Sequence, residues 1–184
     1  INLKHLIKRN RITYPIVIKP TNEGSSIGVE ICKSSTQLLK AIKHLRKKYK
    51  NLMLEKYIGG QEIQVAVMNG KAIGAIELKP LRGFYDYKAK YRKSAKTTHV
   101  MPANISKKKY NEVLKLSEKT HSALGCRGVT RSDFKFFKNK FFLLEINTQP
   151  GMTNLSLVPE IAKYRGITFD NLINKMILDA SIDR

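Results

Sequence analysis

The sequence predicts an α+β fold with mainly antiparallel sheets, and three observations lead to that class. Several segments carry apolar residues at the three- and four-residue spacing of amphipathic helices. Two alternating strands meet at Asn69-Gly70, which is a strong hairpin signal. A second pair of strands, rich in phenylalanine, flanks the stretch K-N-K at residues 138–140. Hairpins join neighbouring antiparallel strands, so the sheets are of that type.

Composition narrows the class of protein further. The 184 residues are 42% hydrophobic, which allows a packed core, and no apolar run reaches the length of a membrane span. Cys32 and Cys126 have no spacing typical of a disulfide framework or a zinc site. We therefore expect a cytoplasmic protein with no membrane partner.

The net charge of +21 would suit a nucleic-acid-binding protein. However, the lysines do not form one block with interleaved aromatic residues, and many occupy solvent-facing helix positions. A lysine-rich surface without a specific nucleic-acid partner is the favoured interpretation.

The sequence pattern in the first part of the chain predicts two facing strands, a helix and a third strand. Residues 16–20 and 29–32 are short apolar strands on either side of the loop E-G-S-S-I-G. Ser35 is a candidate N-cap for a helix whose apolar side includes Leu38 and Leu39, with lysines facing water. Residues 52–58 form the third predicted strand.

A hairpin and a long loop follow. Gly59-Gly60 ends the third strand, and residues 62–68 and 72–78 form the strands on either side of Asn69-Gly70. Residues 82–98 are basic and rich in tyrosine without a clear period. Loops of this length in compact domains are often functional lids, which is what we expect here.

Two more helices are predicted in the second half. Ser106 is a candidate N-cap for one that ends at Gly125, with His121 and Leu124 on its buried side. Thr168 begins a closing helix.

The phenylalanine-rich hairpin places polar residues together. A three-residue turn centred on Asn139 sets Asp133 opposite Glu145 and Arg131 opposite Asn147. Strand period two then puts these four side chains on one face. The other face carries the predicted core residues, which are Phe134, Phe136, Phe142, Leu144 and Ile146.

Two carboxylates that face each other need a cation between them. Oxygen ligands from Asp133, Glu145 and Asn147 suit Mg²⁺, which completes its octahedron with water and phosphate oxygens. The alternative is a surface ion-pair ladder in which Arg131 or Lys135 neutralises the acids. The hairpin alone does not decide between the two.

Other segments favour a nucleotide. Lys19 closes an apolar strand, and the glycine- and serine-containing loop after it can offer backbone N–H groups to phosphate. The stretch L-E-K-Y-I at residues 54–58 could border an adenine, and Glu62 could reach ribose hydroxyls.

The order and wording of seven motifs indicate a family. They are V-I-K-P, E-G-S-S-I-G-V, L-E-K-Y-I, F-Y-D-Y-K-A-K-Y, R-S-D-F, L-E-I-N-T-Q-P-G-M-T and S-L-V-P-E. Over residues 14–180 the chain closely resembles the D-alanine–D-alanine ligase family, whose members have the ATP-grasp fold. The resemblance implies two α+β subdomains that clasp a nucleotide. Residues 1–54 would be the remainder of a central subdomain, and residues 55–184 a C-terminal one with the substrate lid at 82–98.

The resemblance also implies a reaction. These enzymes phosphorylate the carboxylate of one D-alanine with ATP, and the amine of a second D-alanine attacks the acyl phosphate to form a dipeptide for peptidoglycan. ATP and two Mg²⁺ ions, with Mn²⁺ as a substitute, are the implied cofactors.

Site residues follow by motif position. For ATP, the implied residues are Lys19 and Lys90 at the phosphates, Glu55, Lys56, Tyr57 and Ile58 at adenine, and Glu62 at ribose. For the metal, they are Asp133, Glu145 and Asn147. For the charged intermediate and the substrates, they are Arg131, Gly151, Ser156 and Leu157, with Ser25 and Tyr91 in a network at the amine.

The resemblance implies that an N-terminal domain of the same enzyme is missing and that the complete protein is a homodimer. A chain without that domain would bind nucleotide weakly and could be inactive. The alternative is a truncated, inactive remnant that acts as a basic nucleotide- or nucleic-acid-binding protein.

Overall fold

The computed structural model describes residues 3–24, 26–80, 97–153 and 155–181. They form two compact units, one running to Ile58 and the other containing Gly59–Lys79 and the residues from Thr98 onward. None of the helices in these ranges combines the length and apolar character needed to cross a membrane.

The first unit is a three-stranded antiparallel sheet with strand order β2-β1-β3. Its elements are α1 (Leu3–Arg9), β1 (Ile16–Pro20), β2 (Glu30–Cys32), α2 (Ser35–Leu45) and β3 (Leu52–Lys56). The three predicted strands are confirmed, although β3 is two residues shorter than expected. All five residues of β3 pair with β1, so the expected subdomain boundary after residue 54 falls inside this strand.

Helix α2 packs on this sheet through Leu38 and Leu45, which are buried beside Ile16 and Ile18. Its N-cap is Ser34 and not the predicted Ser35. Ser34 has the extended backbone that a cap requires, and its Oγ accepts a hydrogen bond from the Gln37 N–H at 3.3 Å. Leu39, predicted on the apolar side, is 55% exposed.

The second unit is a five-stranded antiparallel sheet with strand order β6-β5-β4-β7-β8. Its strands are β4 (Gln61–Met68), β5 (Lys71–Lys79), β6 (Thr98–Val100), β7 (Val129–Phe137) and β8 (Lys140–Asn147). Its helices are α3 (Lys107–Ala123), α4 (Leu157–Tyr164) and α5 (Phe169–Asp179).

The hairpin at Asn69-Gly70 is confirmed, with φ of 50° and 74° at the two turn residues. Ser106 and Thr168 cap α3 and α5 as predicted. The prediction that Thr98 ends the long loop is wrong, because this residue begins β6. Leu124, predicted to be buried, lies at the C-cap of α3 and is 61% exposed.

Helix α3 covers one face of the large sheet. Its buried Val113 belongs to a core cluster with Ile63, Val65 and Phe134 from the strands. Because β-strand residues alternate between faces, the neighbours Glu62, Gln64 and Asp133 point to the opposite face. Helix α4 packs against β5 and β4.

The β7–β8 hairpin differs from the prediction at its turn. The loop has two residues, Lys138 and Asn139, both with positive φ, and the predicted three-residue loop is wrong. A bulge then adds one extra residue on β8, because Phe134 pairs with Leu143 whereas Asp133 pairs with Glu145. The shorter turn and the bulge cancel, so both predicted polar pairs are confirmed.

The bulge changes which aromatic residues of β8 face the core. Between the turn and the bulge, Phe141 pairs with Phe136, and their rings lie 4.6 Å apart at the centroids. Phe142 is instead opposite Lys135, on the polar face. The prediction that Phe142 and Leu144 belong to the core face is therefore wrong, since Phe141 takes this role and Leu144 is the extra residue.

Candidate functional site

The polar face of the large sheet brings four predicted residues together. Asp133 lies opposite Glu145, and Arg131 lies opposite Asn147 on the same two strands. Asp133 is only 5% exposed, while Glu145 at the sheet edge is exposed. Strand pairing between β7 and β8, two segments adjacent in sequence, therefore determines this cluster.

Arg131 and Asp133 form a two-pronged ion pair. The guanidinium donates from Nε to Asp133 Oδ1 at 2.7 Å and from Nη2 to Oδ2 at 2.9 Å. Residues two apart on a strand share a face, which allows this contact. One part of the ion-pair alternative is thus observed, because Arg131 neutralises Asp133. Glu145 has no ion pair among the residues that the structure describes.

The donor chemistry of this cluster fits Mg²⁺. It offers two carboxylates and one amide oxygen on facing strands. Within the described ranges no group of three or more His, Cys, Asp or Glu side chains is placed to hold a metal, so substrate or water oxygens would have to complete the coordination. An ionised carboxylate has about four lone-pair positions, so Asp133 can accept the Arg131 fork and still offer an oxygen.

A second buried ion pair lies on the same polar face, two residues further along β7. Lys135 is directly opposite Glu62, and its Nζ donates to Glu62 Oε1 at 2.7 Å. The side chains are 9% and 13% exposed. From the sequence, Lys135 was expected only as a partner for the hairpin acids. Its contact with Glu62 depends on the pairing of β4 with β7, strands 60 residues apart in the chain, which no local pattern indicates.

Gln64 is another residue that the sequence analysis did not identify. It lies opposite Asp133 on β4, is 3% exposed, and its Oε1 has no hydrogen-bond partner in the described part of the chain. The only available signal was a polar residue within the strand I-Q-V-A-V.

The segment after β8 brings Gly151, Ser156 and Leu157 close together. Asn147 Oδ1 accepts the Gln149 N–H at 3.0 Å, which turns the chain after the strand. A Cβ at Gly151 would lie 2.8 Å from Ser156 Oγ, so a larger residue would require this hydroxyl to shift. Ser156 is the N-cap of α4, and its Oγ accepts the Thr153 N–H at 2.9 Å.

Leu157 begins α4 and is buried. The N-terminus of a helix carries partial positive charge and unpaired N–H groups, which suits a carboxylate ligand. The roles assigned to Ser156 and Leu157 stay predictions.

The first unit pairs two of the residues assigned to ATP. Lys19 on β1 and Glu55 on β3 form an ion pair of 2.8 Å, with side chains 23% and 39% exposed. Lys56 ends β3, and Tyr57 donates its backbone N–H to Pro15 O at 3.3 Å. Ile58 is the last residue before the chain passes into the second unit at Gly59.

Three predicted residues, Ser25, Lys90 and Tyr91, lie outside the described residues, as does most of the predicted lid.

A family model and the sequences of known proteins both relate this chain to the same kind of enzyme. The family model described as "D-ala D-ala ligase C-terminus" matches residues 3–178. The chain is 55% identical over 184 residues to a D-alanine–D-alanine ligase from Pelagibacter ubique, covering all of this chain and 60% of that protein.

The solved structures that resemble this chain include the same kind of enzyme. A D-alanine–D-alanine ligase from Bacillus anthracis is 31% identical with a TM-score of 0.83, covering 97% of this chain and 57% of that one. A second structure of the ligase from this organism, complexed with ATP, is 25% identical with a TM-score of 0.80, covering 97% and 55%. The chain therefore spans somewhat more than half the length of these relatives.

Proposed function

Because the chain belongs to the D-alanine–D-alanine ligase family and has its ATP-grasp fold, we propose that it provides the ATP-binding and catalytic part of a ligase that joins two D-alanines. In the proposed reaction, the carboxylate of the first D-alanine attacks the γ-phosphorus of ATP and releases ADP. The amine of the second D-alanine then attacks the carbonyl carbon of this acyl phosphate. Phosphate leaves, the amine loses a proton, and D-alanyl-D-alanine is formed.

The main support for this proposal is the pairing of Asp133 with Glu145 and of Arg131 with Asn147 on β7 and β8. This pairing places a guanidinium, two carboxylates and an amide on one face of the sheet. Phosphoryl transfer needs positioning and charge neutralisation more than covalent chemistry from the protein, and this set of groups is suited to it.

Arg131 would stabilise the oxygen that gains charge when the amine attacks, together with the backbone N–H of Gly151. Its fork is already fixed by Asp133, so the guanidinium would not need to reorganise during the reaction.

Asp133, Glu145 and Asn147 would hold Mg²⁺, with Mn²⁺ as a substitute. When bound, the metal would neutralise charge on the transferring phosphoryl group. Arg131 pairs with Asp133 and balances its charge.

For ATP, we assign Lys19 and Lys90 to the phosphates and Glu62 to the ribose hydroxyls. The adenine residues would be Glu55, Lys56, Tyr57 and Ile58. The Lys19–Glu55 ion pair supports this assignment, because it shows that two residues proposed for the same nucleotide lie within contact distance in the first unit.

For the substrates, we assign Ser156 and Leu157 at the start of α4 to the carboxylate of the second D-alanine. The close approach of Gly151 to Ser156 supports this, because it brings a backbone group assigned to the intermediate next to the proposed carboxylate site. Ser25 and Tyr91 would belong to the network at the amine.

The product would supply peptidoglycan synthesis in the cytoplasm. An N-terminal domain like that of the relatives would complete the substrate site, and the complete enzyme would be a homodimer.

The test is ADP release in the presence of D-alanine. The chain would be joined to the N-terminal part of the Pelagibacter ubique relative that it does not cover, and compared with the same fusion carrying Glu145→Gln. We expect the variant to lose at least about 100-fold in turnover, because it removes a charged ligand of the metal that would neutralise the reacting phosphates.

Glu112→Gln is the matched control. Glu112 lies on α3, on the other side of the sheet, and is paired with Lys109 at 2.8 Å. This variant should keep full turnover. Equal turnover of Glu145→Gln and the unsubstituted fusion would contradict the proposal.

A further inference from the structure

The contact between Lys135 and Glu62 determines how the Glu62 carboxylate is held. Glu62 lies on β4 and Lys135 on β7, directly opposite each other. The Lys135 ammonium bonds Oε1 at 2.7 Å, and both side chains are largely buried. Within the described residues, no protein group donates to the second oxygen, Oε2.

A carboxylate held in this way has one oxygen fixed and one available. The 2.7 Å bond to Lys135 fixes the orientation of the carboxylate and gives its buried negative charge a cationic partner. Oε2 can then accept a hydrogen bond from a hydroxyl ligand. A charged acceptor gives a stronger hydrogen bond than a neutral one.

The residues around Glu62 on the neighbouring strands do not provide another cation that could replace Lys135. Arg131 is engaged with both oxygens of Asp133, two residues before Lys135 on the same strand. On the other side, Glu62 pairs with the apolar Leu78 of β5. Among the described residues, Lys135 is therefore the one cation bonded to Glu62.

We infer that Lys135 is the positioning residue for ribose recognition: it orients Glu62 so that Oε2 accepts from the ribose hydroxyls of ATP. This inference rests on the proposed function, in which Glu62 contacts ribose. Lys135 itself does not need to touch the nucleotide. It acts through Glu62, and its removal should affect only that part of the affinity that depends on the hydroxyls.

The experiment compares two nucleotides. Binding of ATP and of 2′,3′-dideoxy-ATP to the 184-residue chain is measured by calorimetry with Mg²⁺ present. The wild-type chain should prefer ATP by about tenfold or more, as expected for hydroxyl donors bonded to a charged acceptor. In Lys135→Met this preference should fall below about threefold, with the affinity for the dideoxy nucleotide unchanged.

Three further variants make the test specific. In a Glu62→Gln background, Lys135→Met should not change the preference further, because the lysine acts through that carboxylate. Lys135→Arg should retain the preference. Lys109→Met removes a lysine from an ion pair of 2.8 Å on α3 and should leave both affinities unchanged. If Lys135→Met does not fold, Lys135→Gln replaces it in the comparison with the same expectation.

A structural role alone would lower the affinity for both nucleotides equally, and that result would overturn the inference. An unchanged preference in Lys135→Met, or an equal loss in the Glu62→Gln background, would also overturn it. Failure of the proposed function has a different signature, because the wild-type chain would then bind neither nucleotide.

Discussion

At the scale of single residues, the Arg131–Asp133 contact means that the charge of either residue has to be considered together with that of the other. Two bonds of 2.7 and 2.9 Å couple a proposed metal ligand to the proposed catalytic cation. Lysine cannot reproduce this geometry, because it presents a point charge where arginine presents a planar fork. The orientation of Arg131 thus depends on Asp133 as much as on its own strand.

We predict that Arg131→Lys lowers turnover of the fusion enzyme by about 100-fold, as for loss of a donor at a developing oxyanion. Lysine keeps a positive charge beside Asp133, so the variant should remain folded. ADP release and thermal unfolding would be measured together. Arg127→Lys, at an exposed position before β7, is the control. A fully active Arg131→Lys would show that the fork has no catalytic role.

At the scale of elements, the β7–β8 hairpin shows how far a local pattern extends. The polar pairs were predictable, because a hairpin with strand period two leaves few registers. The turn and bulge were not, since the run F-F-L-L contains no polar residue to indicate which position is extra. The Lys135–Glu62 contact was beyond local reasoning altogether, because it requires the order of strands in the sheet.

The two hairpin turns offer a stability prediction. Lys138 and Asn139 have φ of 48° and 62°, a conformation that costs non-glycine residues about 1–2 kcal/mol each. Replacing them by the Asn-Gly pair found at residues 69–70 should stabilise the chain by about 1 kcal/mol. Urea unfolding measures this change.

Removal of a glycine from the other hairpin turn is the control for that measurement. Gly70→Ala at φ of 74° should destabilise the chain by a comparable amount. A destabilising Lys138→Asn/Asn139→Gly variant would show that the present side chains make contacts that outweigh their backbone strain.

At the scale of the whole molecule, family membership and net charge favour different functions. The fold and family agree with the resemblance identified in the sequence motifs, which could be recognised from the sequence because each is a run of specific residues in a fixed order. The charge of +21 was equally visible but indicates no particular partner. Charge alone produces polyanion affinity without selectivity.

We predict that the chain binds unrelated DNA duplexes with equal affinity. That affinity should fall by about 10³-fold or more between 50 and 200 mM salt, as expected when several phosphate contacts are screened. Fluorescence anisotropy with two sequences of equal length measures both quantities. A preference for one sequence that persists at 200 mM salt would instead favour a dedicated nucleic-acid-binding protein.

The extra residue on β8 gives this hairpin a tolerance to changes in length. Leu144 adds a position between Leu143 and Glu145 that no partner on β7 requires. Its deletion would leave a regular ladder in which Asp133 still faces Glu145. A deletion at Ile146, between the two polar residues, would invert Asn147 relative to Glu145 and separate them onto opposite faces. Natural gains and losses of residues in this hairpin should therefore accumulate on the turn side of Glu145 and be absent between Glu145 and Asn147.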